Sequence, residues 1–569
     1  MKIRTITALM LAGMLSLSSC VNNGDIDELQ DQINDLNSTV ENIQKTQQEA
    51  LLAAIASLEA DLVTLENELG SDINELGTDY HALLADLGVL EEEVEGNANA
   101  VFYGNVITEA DYTALTTQGA TIITGKVVIT GDAHVLALAN IKLIGKSLEV
   151  KGGSTITMDA LQSIGEDLMV MSVGANASIN LAKLSSVGGD VEIMNNTGLT
   201  SFMANELALI SGGLSSEKNV ALTTISLAKL DQVYEVNINE YLVDDPEYLN
   251  IGALAMLDLS SANVTKSVEI SYVGAVENLA LGSVGGNLIC EYSKVKKITL
   301  DGTSLGGDFV IENNLSISNI DVPNLSRIEG KLRIYYNYDW NTAGSGLVTM
   351  PSFAALTYIG GDVYISNNSN LITAEAFNNV TEVRGENIEF SYNGNLENVS
   401  IFNALVDTNN PASQWGDNSH ADITVQANTF WFDGFNSLVE ITNLNVSVSK
   451  TSGVFDETTG MFEPGGDTAK LEGFDALTDV SSLNLTVTEA TDFNAFASLN
   501  NFKNYQTYLT VAMPSDTNVG LCTMEPIFTR IKNGDFENWN NTRIPVFKYN
   551  WSEMDRDTAI DQLLAPCGV

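Results

Sequence analysis

Residues able to do chemistry are few in this chain of 569 residues. Its three histidines, His81, His134 and His420, are far apart, and no C-x-x-C, H-E-x-x-H, Walker loop or dinucleotide fingerprint occurs. Thiol redox, zinc hydrolysis and phosphate-loop chemistry therefore lack their residues. Oxygen-rich groups such as Asp244-Asp245, or Asp362 with Asn367 and Asn368, have no calcium-loop spacing and read as solvated carboxylates. Neither a metal nor a cofactor is expected. Recognition chemistry is better represented. Ile289, Val310, Arg333 and Tyr364 occupy one position of successive repeated segments, beside a stretch carrying Tyr335, Tyr336, Tyr338 and Trp340. Aromatic rings with an arginine are the composition of binding hot spots and of sugar-stacking platforms. Such a stripe binds a ligand if it stays open, or becomes a small satellite core if the aromatic stretch folds over it.

The segments that must hold these residues repeat. Leu161, Leu184, Leu207 and Leu230 lie 23 residues apart, as do Ile164, Val187, Ile210 and Val233. The best copies are LQSIGEDLMV from Leu161, LSSVGGDVEI from Leu184, LGSVGGNLIC from Leu281, LSRIEGKLRI from Leu325 and LTYIGGDVYI from Leu356. Each reads as a glycine turn, a short strand, an asparagine turn and a second apolar rung. Period-two alternation points Val191 and Ile193 inward and Asp190, Glu192 and Met194 outward. In most copies the middle outward residue is polar, as at Glu149, Glu192, Glu269 and Glu389, and the stripe from Ile289 to Tyr364 breaks that habit. Asparagines after the strands, such as Asn196 and Asn368, are expected to satisfy turn amides and carbonyls along the stack. One unit cannot cover its own apolar face, so the array must be long and capped.

These copies resemble the receptor L domain type of leucine-rich repeat, found in growth-factor receptors, fungal cell-wall proteins and lipoproteins of Bacteroidetes-type bacteria. The resemblance covers roughly residues 141–511 and implies an all-β parallel solenoid with one long sheet. It implies no particular ligand. Lengthened units after Tyr241, Tyr335, Asn403 and Ser449 are expected to become loops. The enzyme alternative is a polysaccharide lyase, because parallel β-helices host that chemistry with an Arg or Lys base. Arginine within the repeats is limited to Arg327, Arg333 and Arg384. Arg333 could stand among carboxylates such as Asp308 and Asp362, where a salt-bridge ladder is the simpler reading.

At the N-terminus, Lys2 and Arg4 precede an apolar run from Ile6 to Leu17 that is too short to span a bilayer. Leu17-Ser18-Ser19-Cys20 resembles the lipobox of bacterial lipoproteins, which implies a signal peptide over residues 1–19 and a lipid on Cys20. Asp25, Asp27 and Glu28 resemble the acidic surface-export signal of Bacteroidetes lipoproteins, which implies the outer membrane and the cell surface. Apolar residues three and four apart, from Ile26 through Leu29, Ile33, Leu36 and Val40 to Val94, predict an α-helical coiled-coil stalk over residues 20–99 and hence a homo-oligomer. Residues 100–140 are expected to form an N-terminal cap with the first solenoid turns, and residues 512–569 a C-terminal cap. Cys522 and Cys567 are expected to pair in that cap and Cys290 to be an inert buried thiol. Asp467-Thr468-Ala469 and Asp557-Thr558-Ala559 resemble the Bacteroidetes O-glycan acceptor, which makes Thr468 and Thr558 candidate sites.

Lys and Arg total 26 against 74 Asp and Glu, for a formal charge of −48. Nucleic acid and anionic headgroups are therefore poor partners. The expected function is a non-catalytic surface lipoprotein that binds or adheres to a protein or glycan. A carbohydrate-active enzyme or a passive envelope scaffold are the alternatives.

Overall fold

The computed structural model describes residues 99–569, excluding 242–250, 275, 339–345, 394–395, 409–419, 450–452, 457–460, 465–468, 488–490, 503–508, 513–519, 535–547, 550–551, 554–555 and 569. The stalk, Cys20, Trp340 and Thr468 lie outside the described residues. Within them the chain forms a parallel β-solenoid of about 14 turns with few helices. Parallel pairing begins at Val101–Phe102 and continues to Leu509–Ala512.

The repeat converts directly into register. Val191–Met194 pairs with Leu168–Met171 on one side and with Leu214–Glu217 on the other, each partner 23 residues away. A short strand such as Ser186–Val187 precedes each of these and stacks in the same way. A third run, including Ala177–Asn180 and Leu199–Met203, forms another face of the coil. Inward residues from all three faces merge into one core, in which Leu161, Leu184, Leu207 and Leu230 are fully buried. Among the described residues, antiparallel pairing is confined to Gly453–Asp456 with Met461–Pro464, in the lengthened unit after Ser449, and to Lys548–Tyr549 with Ser552–Glu553.

The glycine-aspartate corner has a mechanical cause. Asp190 Oδ1 accepts the Gly213 backbone N–H of the next rung at 2.8 Å, and Asp167 Oδ1 accepts that of Asp190 at 3.0 Å. Asp308 and Asp362 serve Lys331 and Glu386 likewise, at 2.8 and 2.7 Å. A Cβ on Gly189 would stand 2.2 Å from the Asp167 carboxylate oxygen, so the second glycine makes room for the carboxylate that closes the turn. Asp362 is thereby committed to the backbone.

After the long strands, residues with positive φ, including Asn195, Tyr292, Asn313 and Asn367, turn the chain so that the next side chain enters the core. Asn314, Asn337, Asn368 and Asn393 fill that slot and form a buried ladder. Asn337 Nδ2 donates to the Ile311 carbonyl at 2.8 Å and to Asn368 Oδ1 at 3.3 Å, while its own Oδ1 accepts the Asn314 N–H at 3.2 Å. Asn196 and Asn219 begin an equivalent ladder that ends on Glu240.

Glu240 is fully buried, and its carboxylate accepts hydrogen bonds from the Ser216 hydroxyl, the Asn219 N–H and Asn219 Nδ2. Desolvation outweighs those bonds and raises its pKa. A folded-state value above the unfolded one means that the protonated acid is favoured by folding. Stability contributed by Glu240 is therefore full below the ordinary carboxylate range, falls as pH rises through the elevated folded value, and is constant above it. Glu240→Gln, which cannot ionise, is expected to remove this dependence, so the wild type loses stability relative to the variant as pH climbs from 4 toward neutrality. Urea midpoints across that range measure it; parallel curves for the two proteins would refute it.

From Phe353 onward a second corner changes character. Phe353, Phe377, Phe402, Phe435, Phe474 and Phe496 are buried, have positive φ and form a continuous column. Successive ring centroids are 4.8, 5.1, 5.5, 5.4 and 4.8 Å apart.

Both solenoid ends are covered. The N-terminal end carries the helix Glu109–Gln118, capped by Thr108 and Asp111, and the short helix Asp132–Ala137. At the other end the helices Glu525–Lys532 and Arg556–Leu564 bury Ile527, Phe528, Ile531 and Ile560 against the core. Cys522 and Cys567 are disulfide-bonded there, with Cα atoms 5.5 Å apart. Cys290 is buried, and desolvation pushes its thiol pKa up to about 12.

Candidate functional site

Register decides which outward residues are neighbours. Ile289 pairs with Val310, Val310 with Arg333, and Arg333 with Tyr364, while Glu269 and Glu389 sit at the two ends of this row. The stripe expected from alternation is thus one continuous column across the sheet. A second outward row runs beside it through Asn239, Ser271, Glu291, Glu312 and Tyr335.

Between the two rows lies an open depression of about 350 Å³, lined by Asn237, Asn239, Glu269, Ser271, Ile289, Glu291, Val310, Glu312, Lys331 and Arg333. Val310 forms its floor and retains only 6% exposure. Arg333 closes one end, where it is ion-paired with Glu312 and its guanidinium lies 4.5 Å from the Tyr335 ring centroid. Asp308 and Asp362 are not its partners, since Asp308 meets Lys331 at 3.3 Å and Tyr364 donates to Asp362 at 3.2 Å. A long side chain on a sheet leans along its strand, so Arg333 reaches the diagonal neighbour Glu312 instead of a residue at the glycine corner.

Along the edge that follows the second row, Tyr241, Tyr272 and Tyr292 are aligned with ring centroids 4.7 and 5.2 Å apart. Farther on, Tyr336 lies 5.4 Å from both Tyr335 and Tyr338. Glu291 is half-buried, and its pKa is raised first by desolvation, then by the charges of Glu312 and Glu269. The pKa of Tyr364 is raised by desolvation and by Asp362.

Three members of the expected stripe, Ile289, Val310 and Arg333, line the depression, while Tyr364 stands one rung beyond it. Tyr335, Tyr336 and Tyr338 flank the same end. The sequence points to Tyr335 in the second outward row, but Glu291, Glu312 and Ser271 of the same row were missed, although the same alternation places them two residues beyond the middle outward position of each strand. The tyrosine edge was also missed, although Tyr272 and Tyr292 each directly follow a strand.

Other reactive side chains have structural partners. His134 Nδ1 accepts the Thr130 N–H at 3.1 Å, so Nε2 carries the proton toward Glu109 at 2.8 Å, and the ring stacks on Tyr112 at 3.9 Å. His420 Nδ1 is 3.2 Å from the Thr408 hydroxyl. Gly302-Thr303-Ser304-Leu305-Gly306 fits the G-x-S-x-G spacing of a nucleophile elbow, yet Ser304–Leu305 is a regular rung paired with Arg327–Ile328. Thr558 is exposed on the helix Arg556–Leu564.

No family model, characterised protein or solved structure matches this chain.

Proposed function

We propose that this protein is a non-catalytic binding module: a surface lipoprotein, held at the outer membrane through lipidated Cys20, that presents the depression on its long-strand face to a protein or glycan. A coiled-coil stalk over residues 20–99 would raise and oligomerise the solenoid, and receptor L domains are the family it most resembles. The observation that carries the binding reading is the column Ile289–Val310–Arg333–Tyr364, where four successive rungs carry apolar, cationic and aromatic groups in place of the polar residue found at this position in most others, beside a concave surface. Arg333 is engaged by Glu312 and lies against the Tyr335 ring, an arrangement suited to recognition, which favours binding over polysaccharide lysis.

The test is to screen the full chain carrying Cys20→Ala, expected to be soluble without its lipid, against glycan and protein arrays. Tyr364→Ala and Arg333→Ala are expected to weaken the ligand found by about tenfold or more each, the scale of a hot-spot residue. Their melting midpoints should hardly move. Unchanged affinity in both variants, with the fold retained, would remove the site; release of sugar fragments from a polysaccharide would replace binding by catalysis. Trp340→Ala, outside the described residues, extends the same test.

A further inference from the structure

The charge distribution around the depression narrows the choice of ligand. Of the three carboxylates that line it, Glu312 is ion-paired with Arg333, and outside the lining Asp308 has Lys331 at 3.3 Å and Glu235 has Lys266 at 2.8 Å. Glu269 and Glu291 differ. They sit on consecutive rungs, both line the depression, and among the described residues neither is in an ion pair, Lys266 acting on Glu269 only from beyond 4 Å. Glu291 is also half-buried and repelled by Glu269 and Glu312, so a cation entering here would relieve a penalty already present in the free protein.

Between these carboxylates and Arg333 the floor is aliphatic, made by Ile289 and Val310. Tyr272 and Tyr292 stack in parallel along the adjoining edge. Resting on the binding reading above, we propose that the depression receives a lysine side chain of a polypeptide ligand, its methylene stem on Ile289 and Val310 and its ammonium between Glu269 and Glu291. An ammonium offers three rotatable donors and suits two carboxylates set diagonally on adjacent rungs, with backbones about 7–8 Å apart, whereas the planar arginine fork matches one carboxylate bidentately. An amino sugar carries its charge directly on a hydroxylated ring and has no aliphatic stem for this floor. The space is also larger than one lysine side chain, which leaves room for the ligand backbone beside Asn237 and Asn239.

Fluorescence polarisation with a labelled tetralysine peptide and the purified full chain tests this at about 0.15 M salt, where long-range attraction to the net charge is screened. Glu269→Gln with Glu291→Gln is expected to weaken binding by about tenfold or more. Glu192→Gln, in an acidic group with Asp190 and Asp167 several rungs away, is expected to change it by less than about twofold. Nε-acetylated tetralysine should not compete, and tetra-arginine and chitosan oligomers should compete more weakly. Equal losses in the double variant and in Glu192→Gln, or competition by the acetylated peptide, would reduce the effect to bulk acidity and overturn the inference. Tighter binding of tetra-arginine or chitosan would overturn the choice of lysine. An array ligand sensitive to Tyr364→Ala but indifferent to the glutamate pair would refute the lysine while leaving the binding reading intact. No array ligand sensitive to either set would remove both.

Discussion

Phe402→Ala is expected to lower the unfolding free energy by about 3–5 kcal/mol, the range for emptying a buried phenylalanine site. Its ring lies inside the column, with centroids of Phe377 and Phe435 at 5.1 and 5.5 Å, and it has no solvent exposure. The backbone around it has little freedom to collapse onto the vacancy, because its φ of 54° is fixed by pairing with the rungs on both sides. Each rung of a solenoid draws its stability from two neighbours, so the loss weakens both interfaces. Phe402→Leu should cost less by retaining most of the volume. Val406→Ala, four residues on at a site 54% exposed, should stay within about 0.5 kcal/mol and serves as the control. Denaturant midpoints of the three variants give the comparison; a loss below about 1 kcal/mol for Phe402→Ala would mean that the column is ornamental to stability.

Asn337→Ala should be nearly as damaging by another route. Losing the amide leaves the Ile311 carbonyl and the Asn314 N–H inside the solenoid without their partner. Each unsatisfied buried group costs about 1–3 kcal/mol, so about 2–6 kcal/mol is expected for the pair. Apolar substitution does not rescue it, and the natural sequence shows why. Val173 and Val273 occupy the same slot, but there the N–H of the valine is accepted by Asn196 Oδ1 at 3.0 Å or by the Ser293 hydroxyl at 3.2 Å from the following rung, and no preceding rung leans on the valine side chain. Asn337 is interior to its ladder and serves rungs on both sides. Hydrogen exchange should show the Asn314 amide losing protection in the variant before distant rungs do; unchanged protection would show that water or a neighbour replaces the side chain.

The sequence by itself determined the solenoid and much of its addressing. Alternation along each strand assigns residues to the core or the surface, and the repeated glycine-turn and strand motif carries the same assignment from rung to rung even where the spacing departs from 23 residues, so the column from Ile289 to Tyr364 and the inward position of Cys290 could be read from the sequence. Buried asparagine at the corner was legible for the same reason: an amide recurring after several of the strands has to meet backbone groups of adjacent turns. The phenylalanine column was present as F-x-x-L or F-x-x-V at Phe353, Phe377, Phe402, Phe435, Phe474 and Phe496, but its left-handed backbone has no sequence signature, because bulky residues ordinarily avoid that region. Tertiary structure alone decided that Arg333 pairs with Glu312 and not with Asp308 or Asp362, that Asp308 and Asp362 hold backbone turns, and that the depression spans two outward rows. Periodicity specifies which face a side chain leaves from. Where its end arrives depends on rotamer, strand lean and the size of the neighbours, and those are set only when the rungs are stacked.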